Sequence, residues 1–306
     1  MMLILNNLFP VFALIGLGAG LKHLHLADES FFKASDRLVY FIFFPALLFW
    51  KIGGSPPTAS ATGQFYLAVI LAVVLVYLLS LAYIVWRVTP FQAGAFHQSC
   101  FRFNTYIGMA VILTALGEDS IRPFGILVGF LIPLNNVLSV ATLSWFAEGT
   151  SRGTYRILQA ARAMISNPLI IACVSGVIYS RTVGFFPPFI ENGLALMGGM
   201  TLPLALLSIG GDLNLTGVRS NLGLALVSTG FKLLALPLIG WGLMRLMGIG
   251  GPDLQIGMIY FTLPVSPGTY VLSSQMNSDT RLASTTIVLS TALSIIPLAV
   301  VLTLFG

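Results

Sequence analysis

The chain has 306 residues, of which 57% are hydrophobic and only 8% charged, and its formal net charge is +5. A water-facing surface needs roughly 25% charged residues, so a soluble globular protein is excluded and lipid is the solvent of this chain. Most of the basic residues are scattered at the ends of apolar stretches, where they anchor and orient a membrane protein; they form no patch that would hold nucleic acid.

Crossing about 30 Å of hydrocarbon takes about 20 helical residues. Ten apolar stretches meet or approach that requirement, at 3–21, 38–52, 64–86, 93–116, 122–146, 164–180, 191–211, 222–247, 254–276 and 282–305. The fold class expected is an all-α integral membrane protein with ten transmembrane helices. The first stretch lacks a basic leader and a small-residue cleavage site, so it reads as a span and not as a cleaved signal. An amphipathic turn precedes the second span, which ends at Gly53-Gly54-Ser55-Pro56-Pro57.

Five spans form each half: 1–146 is a first five-helix repeat, 147–163 a cytoplasmic linker and 164–306 a second repeat. Because five is odd, the second repeat enters the membrane inverted, as in many secondary transporters. Local echoes support the pairing. Asn7-Leu8-Phe9-Pro10 is followed by Gly18 eight residues after its proline, as Asn167-Pro168 is by Gly176. Pro45-Ala46-Leu47-Leu48 with Ile52-Gly53-Gly54 matches Pro203-Leu204-Ala205-Leu206-Leu207 with Ile209-Gly210-Gly211. Ile132-Pro133-Leu134 matches Ile296-Pro297-Leu298.

Counting Lys and Arg in alternate loops sets the orientation. One set holds Lys22, Lys33, Arg37, Arg87, Arg152, Arg156, Arg162, Arg219 and Arg281; the other holds Lys51, Arg122, Arg181 and Arg245. Nine against four places both termini on the non-cytoplasmic side.

Span 9 has the sharpest local signal. Pro264 and Pro267 each remove a backbone donor and clash with an earlier carbonyl, Ser266 lies between them, and Gly268 adds freedom. The backbone groups released must be buried in protein or line a cavity. The segment is therefore either a kink satisfied by neighbouring helices or an unwound site whose helix ends face a solute. Span 4 is its counterpart, with His97-Gln98-Ser99 and then Arg102-Phe103-Asn104-Thr105. It has no proline, so its break must come from the polar run and Gly108. Arg102 stands about ten residues deep, where a charge must be paired or face water. Its planar fork suits a carboxylate; alternatively it snorkels or caps a freed carbonyl. Asn104 and Thr105 add neutral groups able to bind an oxyanion.

Asn135 and Asn136 follow Pro133 in span 5, and because adjacent helical residues diverge by about 100°, at most one faces the site. Lys232 is about ten residues into span 8. Asp212, at the end of span 7, is the nearest acid to any span interior, so Lys232 snorkels, pairs with Asp212, or takes a charge or coupling role. The shortage of deep carboxylates disfavours a carboxylate proton relay and fits an anionic solute. His97 reads as a structural hydrogen-bonder, and Cys100 and Cys173 as buried thiols. No metal motif appears, and no catalytic set of an intramembrane enzyme lies at usable depth.

Three runs together resemble bacterial members of the auxin efflux carrier family. They are Phe101-Arg102-Phe103-Asn104-Thr105-Tyr106-Ile107-Gly108, Pro133-Leu134-Asn135-Asn136-Val137-Leu138-Ser139-Val140 and Leu263-Pro264-Val265-Ser266-Pro267-Gly268-Thr269-Tyr270-Val271-Leu272. The resemblance covers the whole chain. It implies two inverted repeats whose broken helices 4 and 9 cross, a scaffold domain of spans 1, 2, 6 and 7, and a transport domain of spans 3–5 and 8–10. It implies that Asn104 and one of Asn135 or Asn136 hold a substrate carboxylate, and that small organic acids such as malate or malonate are carried. Where plant members have a proline at the first crossover, this chain has Gly108-Met109. A homodimer is implied by the likeness alone.

The expectation is a secondary carrier of small organic anions in the bacterial inner membrane, working by elevator-like alternating access. Arg102, Asn104, Thr105, Asn135, Asn136, Ser266, Pro267 and Gly268 would bind the substrate. No cofactor is expected, and coupling to sodium or protons is left open. A sodium-coupled organic-anion symporter and an anion channel are the alternatives.

Overall fold

A computed structural model describes residues 2–54, 61–146, 166–213 and 221–305, with side chains from Asn6 onward. The 147–163 linker, the Ser55-Pro56-Pro57 turn, and Arg152, Arg156, Arg162 and Arg219 lie outside the described residues. Among those described there is no strand. The helices are α1 (Met2–His23), α2 (Glu29–Leu38), α3 (Phe44–Gly53), α4 (Gly63–Arg87), α5 (Pro90–Phe101), α6 (Thr105–Leu116), α7 (Ile121–Phe146), α8 (Pro168–Thr182), α9 (Pro188–Asp212), α10 (Leu222–Gly230), α11 (Leu236–Leu246), α12 (Gly251–Thr262), α13 (Gly268–Gln275), α14 (Thr280–Leu293) and α15 (Ile295–Phe305).

Among the described residues six stretches are long and apolar enough to cross a membrane: Gly63–Arg87, Pro90–Leu116, Glu118–Phe146, Pro188–Asp212, Leu222–Leu246 and Thr280–Phe305. These correspond to expected spans 3, 4, 5, 7, 8 and 10. The other four correspond to α1, α3, α8 and the pair α12–α13, which do not form such a stretch over the described residues. Two π-helical turns were not foreseen. Val39–Phe43 joins α2 to α3, so helix runs from Glu29, and Phe231–Ala235 joins α10 to α11.

Local chemistry explains the helix starts. Asp28, Thr62, Asn167 and Asp279 are extended N-caps whose side chains accept from a backbone N–H in the first turn of α2, α4, α8 and α14, which satisfies one of the orphan donors there. Pro90, Pro168 and Pro188 occupy first helical positions, where a missing N–H costs nothing. In α4, the small face of Ala68, Ala72, Val73, Val76 and Ser80 is buried, whereas Leu67, Leu71, Leu75, Leu78 and Leu79 point outward. A helix apolar on both faces belongs in lipid.

The chain divides into two compact units. The first comprises Met1–Ala61, Tyr106–Ile132 and Ile165–Leu213. In it α1 packs on α9 through glycines: a Cβ on Gly18 would run into the Leu207 carbonyl, and one on Gly210 into the Ile15 carbonyl. Small residues at such positions let membrane helices approach to backbone contact. Gly176 of α8 likewise leaves room for Ile52. Arg122, at the start of α7, is 2% exposed and donates to the Ile52 carbonyl at 2.7 Å and the Ser180 hydroxyl at 2.8 Å. It is therefore an interior tie and not a loop charge, and removing it from the loop tally leaves the sign of the bias unchanged.

The second unit comprises Thr62–Thr105, Pro133–Met164 and Asn214–Gly306. The two-unit division follows the scaffold and transport grouping in part: the second half of span 4 and the first half of span 5 fall in the first unit. Within the second unit His97 has both ring nitrogens engaged, with the Thr142 hydroxyl at 2.7 Å and the Tyr77 carbonyl at 2.9 Å. A neutral ring donating to that carbonyl and accepting from Thr142 satisfies both contacts, which is a structural role.

Candidate functional site

Both expected breaks lie in the second unit. Helix α5 stops at Phe101, and Arg102 turns to extended backbone with φ −66° and ψ 144°. Helix α12 stops at Thr262, and Leu263 does the same with φ −65° and ψ 144°. Each half-helix that ends at a break is 12 residues long. The breaks interlock, because the Asn104 N–H donates to the Pro264 carbonyl at 2.9 Å. This bond explains how span 4 breaks without a proline: a backbone donor from one break meets a carbonyl freed at the other. Gly108 is not the breaking residue, since it lies buried within α6.

The rest of the second break is held by side chains. The Val265 N–H donates to the Ser290 hydroxyl at 3.1 Å, and the Gly268 N–H to the Ser266 hydroxyl at 3.2 Å. Gln98 ties α5 to α13, donating to the Thr269 carbonyl at 3.2 Å and the Ser273 hydroxyl at 2.8 Å. Gly268 opens α13, and its missing side chain is occupied by Arg102: a Cβ there would lie 2.9 Å from Nη2 and 3.4 Å from the Ser266 hydroxyl. The glycine is needed less for flexibility than for the room it leaves to the guanidinium.

The structure brings Arg102, Asn104, Ser266, Pro267 and Gly268 to this crossover. Arg102, Thr105, Ser266, Pro267 and Gly268 are half-buried, and Asn104 is buried. Asn135 is buried beside the Tyr260 hydroxyl, whereas Asn136 is half-buried, as the divergence of adjacent helical residues requires. The Lys232 ammonium donates to the Phe261 carbonyl at 3.0 Å, and Asp212, in the first unit, lies against Asp36 with Lys22 nearby.

Tyr260, Gln98 and Thr269 were missed as site residues. The signal for Tyr260 was a phenol four residues before Pro264, and for Gln98 an amide four residues before Arg102. The Gln98 carbonyl oxygen and the Thr269 hydroxyl are buried without a hydrogen-bond partner among the described residues. Buried polar atoms are normally satisfied, so atoms left open around a helix break invite water or a ligand.

α6 and α13 begin at the breaks and α5 and α12 end there, so helix ends of both polarities meet at the breaks. The unit holds a half-buried Arg102 and a fully buried Lys232, and its only described carboxylates, Asp253 and Asp279, sit at helix starts, where they bond Thr62 and cap α14.

An all-helical chain with several membrane-crossing stretches, and two interrupted helices locked at their breaks, is a multi-pass membrane transport protein. The sequence profile of the family described as Membrane transport protein matches residues 135–302. The chain belongs to this family, that of the auxin efflux carriers. It is similar to the uncharacterized transporter MJ1031 of Methanocaldococcus jannaschii, with 20% identity over 94% of each chain. It is also similar to an uncharacterized transporter of Methanothermobacter thermautotrophicus, with 24% identity over 60% of this chain and 68% of that one.

Proposed function

We propose that this transporter is a secondary carrier of small organic anions, mono- or dicarboxylates, in the plasma membrane. The observation that carries the reading is the Arg102 guanidinium seated over Gly268 where the two helix breaks interlock. Arg102 grips the carboxylate. Asn104, Thr105 and Ser266 would add neutral polar groups to its grip, Asn135 would orient the solute from α7, and the N-terminal ends of α6 and α13 would favour its charge. Ten spans in two inverted repeats, 1–146 and 164–306, carry this site. The equal lengths and matching backbone turns of α5 and α12 support the pairing of spans 4 and 9. The second unit carries the anion across in an elevator-like movement, and both termini lie outside the cytoplasm.

The test is thermal stabilisation of the purified protein by acetate, pyruvate, malonate, succinate and malate, with sodium or with choline. A saturable shift with one acid is expected in wild type and not in Arg102→Gln or Asn104→Ala, since a ligand that binds only the folded state stabilises it. A folded wild type that shifts with none of these acids overturns the anion reading. A large unitary current across a bilayer would make it a channel.

A further inference from the structure

Lys232 is fully buried in the middle of a membrane-crossing helix, in the π-helical turn Phe231–Ala235. π turns are rare and collect at functional sites. This one widens the helix where the lysine points at α12. The ammonium donates to the Phe261 carbonyl at 3.0 Å and stands 5.8 Å from the centre of the Tyr260 ring. Among the described residues no carboxylate is within ion-pair distance of it. The helices around the turn are α4, α5 and α12. Their ionisable groups are Tyr66, Tyr77, Tyr83 and Arg87; His97 and Cys100; and Asp253 and Tyr260. The one acid among them, Asp253, is held by Thr62 at the other end of α12.

A buried charge in a membrane is costly and calls for a partner. Phe261 lies in the last turn of α12, two residues before the break at Leu263. That is the negative end of a half-helix, and the carbonyl ends of broken helices are where transporters coordinate a coupling cation. The second unit thus has Arg102 against the first residue of α13 and an ammonium already fixed to the carbonyl end of α12.

We propose that Lys232 is a tethered cation that takes the place of a diffusible one, so that a carboxylate binds at the crossover without sodium. This rests on the anion-carrier reading. Lys232 is a positioning residue: it holds the carbonyl end of α12, and its charge offsets that of the anion as the unit moves.

The experiment measures the affinity for malonate, or for whichever acid of the panel binds wild type best. It compares wild type, Lys232→Ala and Lys232→Met in sodium and in choline. Wild type should bind equally in both. Lys232→Ala should lose about tenfold or more in affinity, and ethylammonium, a cation small enough for the vacated space, should restore part of it while tetramethylammonium does not. Lys232→Met keeps the packing without the charge and should show the same loss, which serves if the alanine variant does not fold. A wild type that requires sodium overturns the proposal. So does a folded Lys232→Ala that binds as wild type, or a loss that ethylammonium leaves unchanged, which assigns the lysine to packing. A wild type that binds no acid of the panel overturns the anion-carrier reading itself, and this inference with it.

Discussion

Gly268→Ala separates the proposed site from the fold more sharply than removal of any charged residue. The added Cβ would stand 2.9 Å from Arg102 Nη2 and 3.4 Å from the Ser266 hydroxyl, and no backbone atom is among its nearest neighbours. The atom that must yield is the far end of a long side chain, so the guanidinium moves and the fold does not. Gly268 is the first residue of α13, where alanine is tolerated and narrows the unfolded ensemble, worth about 0.4–1 kcal/mol in favour of the variant. The displaced guanidinium forfeits at least one charge-assisted hydrogen bond to a bound carboxylate, about 1.5–3 kcal/mol, or roughly 10- to 100-fold in affinity. Calorimetric titration with the stabilising acid, next to a thermal melt of the ligand-free protein, reads both quantities. The expected outcome is an unchanged or raised melting temperature with affinity reduced by that factor. Gly242→Ala is the control, because a Cβ there meets nothing within 4 Å. A Gly268→Ala protein that melts like wild type and binds the acid equally well refutes the claim that Arg102 holds it at this glycine.

Two further outcomes test the first unit. Gly210→Ala puts a Cβ into the Ile15 carbonyl; overpacking of this kind costs about 1–3 kcal/mol, so the melting temperature should fall clearly, and an unchanged melt would contradict the α1–α9 packing. Asp36, on α2, has its carboxyl pushed up to about 7 from 3.8, first by burial and then by the neighbouring Asp212 carboxylate. Between about pH 4 and 7 the folded state keeps a proton that the unfolded chain has released, so stability falls as pH rises through that window and the penalty persists above it. Asp36→Asn should match wild type near pH 4 and be the more stable near pH 8; parallel melting curves across the range would contradict the assignment.

Much of this arrangement was legible in the sequence because membrane physics leaves few choices. The ninth-span break is written in Pro264 and Pro267, which cannot donate. The fourth-span break was legible only as polarity, since its cause is a hydrogen bond to Pro264, a residue 160 positions later. Gly18 and Gly210 stood out as echoes between the halves, but their packing role against Leu207 and Ile15 needed coordinates. Of the two asparagines on α7, Asn135 is buried and Asn136 half-buried. The π turns left no signal that composition or periodicity could carry. Lys232 stands out by its charge and depth, but the Phe261 carbonyl to which it donates is a main-chain group, and a sequence does not display those.

The most direct test of the central claim is counterflow in proteoliposomes loaded with the stabilising acid, following entry of the same labelled acid down no net gradient. The expected result is saturable uptake that requires acid on the inside, persists when choline replaces sodium, and disappears in Arg102→Gln protein of normal melting temperature. Uptake indifferent to internal acid, or equal in the Arg102→Gln variant, would contradict it.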